Sequence, residues 1–474
     1  MPKLTRVVLA FSLLVSAAAC GSRLSEEERA LALSASVSGD GSLGGSGEVT
    51  DVTVGGGATV DTVAAGPDGT GDGGASAGPA AAGGGGGAAG PAAAGGDGAC
   101  RPGSATGPGV SPTEITVGNV SQLSGLVPGF GQTGINGAKA YLNMVNSQGG
   151  VCGRQIKMVV ADDRFQSATN RSETEKMADK VLALVGSVSV VDDGGAPVID
   201  AKGIADVSLA TTKPRVAAKN NFSPNPIDPN PQAGNGLAGI LEYFKRTDGI
   251  KKPAIFYQNV ATGVNQANSY KIDFQRAGIP VADENVYAVS PTATNFNTEA
   301  NHMKSTKVDF VITVAEVNAM SNLARSFESV GYFPKVPFYG AQVYGQKFLQ
   351  LAGKAAEGTR VGLIFAIPEE AGQNPAMAQF NEWYARTAPG QDVDFFALVG
   401  WVAADMFVTA LRAAGPDPTQ AKIIAELSKL TAFEANGAVG KINPAQKKNT
   451  GCYHIIAVEG GKWVKKHPAK GFVC

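Results

Sequence analysis

Short apolar runs alternate with longer stretches of helical periodicity along most of this chain, and that alternation constrains its fold most strongly. We interpret the apolar runs as strands and the stretches between them as helices. Strands that alternate with helices are typical of parallel sheets covered by helices, which places the chain in the α/β class. The predicted strands are residues 115–120, 156–160, 181–185, 204–209, 253–257, 308–313, 337–339 and 360–365. The predicted helices include residues 136–145, 170–182, 265–277, 319–330 and 397–414.

The length of the chain predicts two lobes. Residues 100–474 are too many for one ordinary hydrophobic core, so two α/β lobes are expected. Open α/β sheets place small ligands at the carboxyl ends of their strands, so we expect a binding cleft between the two lobes. The formal net charge is −1, which gives no electrostatic footprint for a nucleic acid partner.

The N-terminus predicts export. Lys3 and Arg6 precede an apolar core at residues 7–15, and the sequence Ser-Ala-Ala-Ala-Cys-Gly-Ser follows at residues 16–22. This pattern is a secretory signal and is too short to be a membrane span. Its end resembles a bacterial lipobox, which implies a lipoprotein signal peptide over residues 1–20 and a lipid anchor on Cys20. The alternative is a plain secreted protein cleaved at an A-x-A site.

A glycine- and alanine-rich segment follows the signal. Residues 21–99 contain runs such as Gly-Gly-Gly-Gly-Gly at 83–87. Such a composition cannot bury enough apolar surface to offset the entropy of ordering, so this segment is predicted to be a disordered tether. A random coil of that length spans about 50 Å on average. The folded part is therefore expected near a membrane surface and not embedded in it.

The cysteines predict an oxidising compartment. If Cys20 carries a lipid, an even number of cysteines remains, as in exported domains with disulfides. The four allow three connectivities, of which we predict the local one, Cys100 with Cys152 and Cys452 with Cys474. No C-x-x-C pair occurs and the chain has 3 histidines, so a zinc site is not expected.

The stretch Gly-Phe-Gly-Gln-Thr-Gly at residues 129–134 matches the G-x-G-x-x-G pattern of dinucleotide-binding loops. That fingerprint needs its first glycine directly after a strand, but residues 121–128 intervene here. We therefore interpret the stretch as part of an open loop. Asp162 and Asp163 stand where a ribose-binding acid would, so an NAD-dependent enzyme is kept as a remote alternative, although NAD is scarce outside the cell.

Enzymatic chemistry has little support in the sequence. No G-x-S-x-G elbow occurs, and His302, His454 and His467 have no obvious serine or cysteine partner. The adjacent acid pairs at residues 162–163 and 369–370 are of a kind that usually points apart into solvent. We expect a protein that is not an enzyme and that needs no cofactor.

The order of several motifs resembles the leucine/isoleucine/valine-type (type I) periplasmic binding proteins, the solute receptors of ABC importers. The resemblance spans residues 113–470 and is strongest over the first lobe. The matching segments are Ile-Thr-Val-Gly at residues 115–118, Ser124-Gly125, Gly131, Ala138, the stretch Gly-Gly-Val-Cys-Gly-Arg-Gln-Ile-Lys at 149–157, Asp162-Asp163 and Ala-Thr-Thr at 210–212.

The resemblance implies two Rossmann-like lobes joined by three hinge crossings, with the ligand in the cleft between them. It implies lobe 1 at residues 100–230 and 359–430, and lobe 2 at residues 231–358 and 431–474. The first crossing would fall at residues 222–232, where four prolines should limit the hinge to a few residues. These are Pro224, Pro226, Pro229 and Pro231.

Ligand-contacting residues in the first lobe are carried over one position at a time. The resemblance implies contacts from the backbone of Ala210, the hydroxyl of Thr212, the ring of Phe130 and the loop at Ser124. It also implies contacts from a loop at residues 189–195, which contributes Asp192, Asp193 and Gly194. Asp192 stands where the family has a serine, and a carboxylate there would repel a carboxylate ligand. The two acids could instead hold a cation, bind ligand hydroxyls or cap the helix that begins at Ala196.

Three positions in the second lobe depart from the family pattern. Thr262 replaces a tyrosine, Glu316 replaces an aromatic residue, and Gln342 stands where amino-acid binders carry the acid that pairs with the ammonium group. An ammonium ion needs a buried anion, which Gln342 cannot supply. Glu316 could supply it, or it could be a solvated charge at the rim.

The predicted function is therefore an extracytoplasmic solute receptor of an ABC importer, anchored on the outer face of the cell membrane through Cys20. It would capture a small polar solute, an amino acid, an amide or an organic carboxylate, by hinge closure and deliver it to a membrane permease. A monomer is expected. The alternative is a sensory or structural lipoprotein that uses the same fold without transport.

Overall fold

The computed structural model describes residues 100–125, 129–230, 232–234, 236–448 and 450–474. The predicted signal peptide, the anchor at Cys20, the tether at residues 21–99 and Pro231 lie outside the described residues.

The first lobe is built on a four-stranded parallel sheet in the order β2-β1-β3-β4. Val117 and Val120 of β1 are almost fully buried, and so are Leu184 and Val185 of β3, because helices cover both faces of the sheet. The strands are β1 (Glu114–Ser121), β2 (Gln155–Asp162), β3 (Ala183–Val185) and β4 (Ala205–Val207).

The second lobe is built on a seven-stranded sheet in the order β11-β10-β9-β8-β7-β5-β6. Strands β5 to β9 are parallel, whereas β10 pairs antiparallel with both β9 and β11. The sequence interpretation did not predict β6, β10 or β11. The strands are β5 (Pro253–Gln258), β6 (Val286–Val289), β7 (Phe310–Val314), β8 (Val336–Phe338), β9 (Arg360–Leu363), β10 (His454–Glu459) and β11 (Lys462–His467).

Helices fill most of the connections between strands, as the α/β interpretation predicts. In the first lobe they are α1 (Gln132–Ser147), α2 (Ser167–Ala178), α3 (Ala196–Lys202), α4 (Lys213–Ala217), α10 (Pro375–Thr387), α11 (Phe395–Ala414) and α12 (Gln420–Leu427). In the second lobe they are α5 (Ala238–Asp248), α6 (Ala261–Arg276), α7 (Asn297–Thr306), α8 (Val317–Ser329) and α9 (Gln346–Ala352).

Two segments cross between the lobes side by side. Ala366 N–H donates to Ala438 O over 2.9 Å, and Gly440 N–H donates to Ile364 O over 2.7 Å, so the segments run antiparallel. Strand β9 pairs with β8 and β10 before the first of these segments, which keeps it in the second lobe. The predicted change of lobe at residue 359 is therefore too early, because an apolar run alone does not reveal which sheet it joins.

Helices α1 and α11 pack closely in the first lobe, although about 250 residues separate them. A Cβ atom on Gly137 would lie 1.9 Å from Ala397 O, and one on Gly400 would lie 1.9 Å from Gly134 O. No side chain fits at that separation, so glycine is required on both helices. Gly134 is the third glycine of the G-x-G-x-x-G stretch, and a Cβ atom on it would lie 2.8 Å from Val188 Cγ2, so this glycine has a packing role.

The same two helices share a buried polar contact. Tyr141 O–H of α1 donates to Asp405 Oδ1 of α11 over 2.7 Å. Burial raises the pKa of Asp405 to about 6, although the hydrogen bonds from Tyr141 and Thr409 oppose that shift. Helix α11 is also long and apolar enough to cross a membrane, but 89% of its apolar window is buried in the protein, as in a core helix.

The local disulfide pairing is confirmed. Cys100 bonds to Cys152, and Cys452 bonds to Cys474. The first bond closes a separation of 52 residues and ties the start of the described chain to the loop before β2. The second closes 22 residues and ties the C-terminus beside β10. Loops of these lengths stabilise a fold by about 4 and 3 kcal/mol on chain-entropy grounds.

We predict that Gly137→Ala lowers the free energy of unfolding by about 2 kcal/mol, because the clash with Ala397 O outweighs the better helix propensity of alanine. Differential scanning calorimetry of the oxidised protein measures the effect. Gly372→Ala is the matched control, since a Cβ atom there meets nothing within 4 Å. Equal stability of the two variants would contradict the proposed contact between α1 and α11.

We predict that Asp405→Asn reduces the pH dependence of stability. A carboxyl group with a raised folded pKa contributes stability that is present at low pH and is lost as the pH rises through about 6. Its contribution should fall by about 1 kcal/mol between pH 5 and pH 7, and the asparagine variant should lack that fall. Urea unfolding of both proteins at the two pH values tests this. The same pH difference in both would contradict the assignment.

Candidate functional site

The parallel strands of each lobe end at one edge of their sheet, and the loops that follow them form the candidate site. In the first lobe the described parts of these loops lie at residues 122–125 and 129–131 after β1, 163–166 after β2, 186–195 after β3 and 208–212 after β4. All the first-lobe residues predicted to contact ligand belong to these loops.

Asp162, at the end of β2, organises the loop after β1. Its Oδ1 accepts hydrogen bonds from the N–H groups of Leu123 (2.9 Å), Ser124 (3.2 Å) and Arg164 (2.9 Å), and its Oδ2 accepts the Ser124 hydroxyl (2.5 Å). Burial opposes ionisation, but these hydrogen bonds outweigh it and lower the pKa of Asp162. The hydroxyl of Ser124 is thus already hydrogen-bonded within the protein.

Asp163, the next residue, serves the start of helix α2. Its Oδ1 accepts the Phe165 N–H and its Oδ2 accepts the Asn170 side-chain amide, both over 3.0 Å. Asn170 Oδ1 in turn accepts the Gly195 N–H over 2.9 Å, which connects this loop to the loop after β3. The sequence interpretation expected such an acid pair to point into solvent. Instead, both carboxylates accept hydrogen bonds from neighbouring parts of the first lobe.

Asp192 binds the loop after β4. Its Oδ2 accepts the Thr211 N–H over 2.7 Å, and its Oδ1 accepts the Thr212 N–H over 3.0 Å and the Thr212 hydroxyl over 2.5 Å. Asp192 is 3% exposed. Burial raises its pKa to about 6, against the opposing effects of Arg215 and of the hydrogen bonds from Thr212 and Thr211.

A buried ion pair lies next to Asp192. Arg215 Nε is 2.7 Å from Asp206 Oδ2, and both side chains are almost fully buried. Asn221 Nδ2 donates to the same carboxylate oxygen over 2.6 Å. Burial opposes the charge of Arg215, but Asp206 and then Asp192 outweigh it and raise the pKa of the guanidinium group. The cation is thus committed to the interior of the first lobe.

Asp193 and Gly194 connect the loop after β3 to helix α2. Asp193 Oδ1 accepts the Ser167 hydroxyl over 2.9 Å. A Cβ atom on Gly194 would lie 1.8 Å from Ser167 O, so this position has no room for a side chain. Helix α3 begins after Gly195 without a side-chain cap. The alternative that Asp192 or Asp193 caps this helix is therefore wrong, because Asp192 bonds to the loop after β4 and Asp193 bonds to Ser167 of helix α2.

Phe130 and Ala210 lie on the same edge. The half-buried ring of Phe130 packs against Phe396 at the start of α11, with 4.7 Å between the ring centres. Ala210 is 3% exposed and lies in the loop after β4. Phe130 and Ala210 remain proposed ligand contacts.

The second-lobe residues follow three neighbouring strands. Thr262 is half-buried at the start of α6, and Gln342 is half-buried in a short 3-10 turn after β8. Glu316 is the N-cap of α8, where its carboxylate accepts the N–H groups of Asn318 (2.8 Å) and Ala319 (2.7 Å). These hydrogen bonds give Glu316 a structural role that the sequence interpretation did not include.

The sequence interpretation missed a polar cluster where the two lobes meet. Tyr344 O–H donates to Glu369 Oε2 over 2.8 Å, and Thr133 Oγ1 donates to Asp394 Oδ2 over 2.9 Å. Phe395 N–H donates to Tyr344 O over 3.3 Å, which joins the loop after β8 to the start of α11. Burial raises the pKa of Glu369, and it raises that of Asp394 to about 6. An aspartate directly before a long apolar helix was the available signal, since it predicts an N-cap.

A surface pocket of about 440 Å³ lies elsewhere in the second lobe. Its wall includes Asp248, Arg360 and Lys466. Arg360 begins strand β9, so this pocket is at the amino ends of the parallel strands, opposite the loops described above. We do not assign it to the candidate site.

Comparison with known families identifies the fold and its general role. The sequence profile of the family described as "Periplasmic binding protein" matches residues 114–462. The chain belongs to this family. The two α/β lobes agree with the type I fold of this family. The family resemblance inferred from the sequence motifs is therefore confirmed.

Two curated relatives are proteins named for branched-chain amino acids. The Leu/Ile/Val-binding protein BraC3 of Rhizobium johnstonii is 25% identical over 334 residues, which is 69% of this chain and 87% of the relative. The Leu/Ile/Val-binding protein homolog 3 of Brucella melitensis is 22% identical over 312 residues, 65% of this chain and 82% of the relative.

Solved structures share the fold at low sequence identity. A fatty acid ABC transporter substrate-binding protein from Thermomonospora curvata superposes with a TM-score of 0.65 at 20% identity, covering 77% of this chain and 94% of that one. A branched-chain amino acid ABC transporter structure from Thermus thermophilus with bound valine gives a TM-score of 0.64 at 17% identity, covering 76% and 97%. The family consists of extracytoplasmic solute-binding receptors.

We predict that Glu316→Ala lowers the free energy of unfolding by about 1 kcal/mol in the absence of any solute, because helix α8 loses its cap. Glu316→Gln is the matched control, since its amide oxygen can still accept one of the backbone N–H groups. Urea unfolding measures both variants. Wild-type stability of Glu316→Ala would show that the carboxylate is not committed to the helix.

Proposed function

We propose that this protein is the receptor of an ABC importer, which captures a small polar solute by hinge closure and delivers it to a membrane permease. The observation that carries the proposal is the pair of antiparallel crossing segments between two α/β lobes in a member of the periplasmic binding protein family. Two lobes joined in this way can close on a solute, and the solute stabilises the closed form because it contacts both lobes there.

The crossing segments support bending as the mode of closure. Residues 364–366 and 438–440 are linked by the two backbone hydrogen bonds described above, so they can flex together. The first crossing, after Phe222, contains Pro224, Pro226 and Pro229 among the described residues. Proline fixes its own φ angle, which confines bending to the residues around it. Hinges of this kind absorb closure in a few backbone angles.

The solute is proposed to bind between the loops of the two lobes. Phe130, Ala210 and the loop after β3 would contact it from the first lobe, and Thr262 and Gln342 from the second. The relatives carry names for branched-chain amino acids, and one structural neighbour is named for fatty acids. The candidates for this chain remain an amino acid, an amide or an organic carboxylate.

The location of the protein at the membrane is proposed from the sequence. Lipid on Cys20 would hold the protein at the outer face of the cell membrane, and residues 21–99 would let the lobes reach the permease. The protein would act as a monomer.

We predict that one solute class raises the thermal midpoint of the full-length, oxidised protein. A solute at a hundredfold excess over its Kd stabilises the folded protein by about 2.7 kcal/mol. A thermal-shift screen against amino acids, amides, sugars, aromatic acids and NAD, followed by calorimetry of each positive solute, measures the effect. The account predicts one-to-one binding of a small solute. A midpoint that rises with NAD alone, or that rises with none of the compounds, would contradict the proposal.

A further inference from the structure

The first-lobe edge of the cleft contains the kind of donor set that binds a carboxylate. The N–H groups of Thr211 and Thr212 and the hydroxyl of Thr212 converge on one carboxylate group. Adjacent backbone N–H groups together with a hydroxyl are a strong arrangement for an anion, since each hydrogen bond is charge-assisted. These donors lie in the loop directly after β4, at the ligand-binding edge of a parallel sheet.

That donor set is already filled by the protein. The group it binds is the Asp192 side chain, which arrives from the loop after β3 and is buried. The second set of donors at this edge is filled in the same way, since Asp162 accepts the N–H groups of Leu123, Ser124 and Arg164 and the Ser124 hydroxyl. The hydroxyl of Thr211 also turns inward and donates to Ser189 O over 2.7 Å.

The charges at this edge add to the effect. Besides Asp162 and Asp192, this edge carries the half-buried carboxylate of Asp193, which accepts the Ser167 hydroxyl. Arg215 is buried and paired with Asp206, so its charge is balanced inside the lobe. Arg164 and Lys213 are exposed, where solvent and salt screen their charges. A carboxylate that entered here would meet like charges at short range.

We infer that the first-lobe face of the cleft rejects a carboxylate and receives an uncharged or cationic group that donates hydrogen bonds, such as an amide or an amine. This rests on the proposed receptor function and narrows its solute class. In this protein the Asp192 carboxylate binds the Thr211 and Thr212 donors that a solute carboxylate would otherwise bind. The carboxylates of Asp162, Asp192 and Asp193 make this edge favour a solute group that carries N–H donors.

Matched pairs of probes test this with the full-length, oxidised protein. The pairs are leucine with leucinamide, 4-methylpentanoate with 4-methylpentanamide, and benzoate with benzamide, each titrated by calorimetry at pH 7.5. Within at least one pair, we expect the amide to bind at least tenfold more tightly than the carboxylate. The members of the methylpentanoate and benzoate pairs share size and apolar surface, so the ratio of their Kd values reports on the carboxylate. The Kd of leucinamide is corrected for the protonated fraction of its amine, because an amide lowers the pKa of the α-amino group to about 8.

Asp192→Ser is the decisive variant. It removes the charge and frees the Thr211 and Thr212 donors, so carboxylate affinity should rise at least tenfold relative to the matching amide. Asp192→Asn removes the charge but keeps an acceptor in place, and should give a smaller change. Asp179→Ser is the control, because it removes an exposed first-lobe carboxylate that lies outside these loops and pairs with Lys202, and it should retain the wild-type ranking.

The outcomes separate the two proposals. A wild-type protein that binds the carboxylate of a pair more tightly than the amide overturns the inference and leaves the receptor function standing. An unchanged Kd ratio in a folded Asp192→Ser variant also overturns it. Absence of binding by every probe, together with no response in the wider solute screen, overturns the receptor function and the inference together.

Discussion

The close packing of α1 on α11 is the contact on which the two-lobe architecture depends. Along the chain, helix α1 precedes strands β5 to β9 of the second lobe, and helix α11 follows them. Gly137 and Gly400 let the two backbones meet, and Tyr141 with Asp405 satisfies the buried polar groups between them. Because this contact returns the chain to the first lobe, it obliges the chain to cross between lobes more than once.

Repeated crossing would give the molecule both its proposed hinge and its candidate site. Two of the crossing segments lie side by side and share backbone hydrogen bonds, so the lobes can bend about a narrow zone. Parallel strands place their following loops at one edge, and the loops of both lobes carry the polar residues of the candidate site. At the first-lobe edge the chain uses its own aspartates as ligands for its own backbone. The selectivity that we infer is a consequence of that internal bonding.

Much of the fold was predictable, because apolar runs and helical periodicity are local signals. The runs that became β1, β5 and β7 were identified within two residues at each end. Strand β6 was missed because its apolar run, Val286–Val289, is only four residues long and lies largely half-exposed at the sheet edge. The sheet to which β9 belongs was assigned wrongly, since strand pairing depends on contacts distant in sequence.

The candidate site was less predictable for the same physical reason. The sequence identifies an acid at Asp192, but its partners at Thr211 and Thr212 lie some twenty residues away and follow another strand. Glu316 was considered as a partner for a solute ammonium group, whereas in the structure it caps a helix, a role that the amphipathic helix directly after it could have suggested. Hydrogen bonds between loops are set by the tertiary fold and leave no periodic pattern.

The most direct test of the account is the distance between the lobes with and without solute. Spin labels attached by non-cysteine chemistry at Lys176 of α2 and Lys271 of α6 place one exposed probe on each lobe. Pulsed electron paramagnetic resonance then gives the distribution of distances between them. The account predicts that a saturating solute changes this distribution to a single, narrower population, as one closed form is selected. The same distribution with and without bound solute would contradict closure as the mechanism.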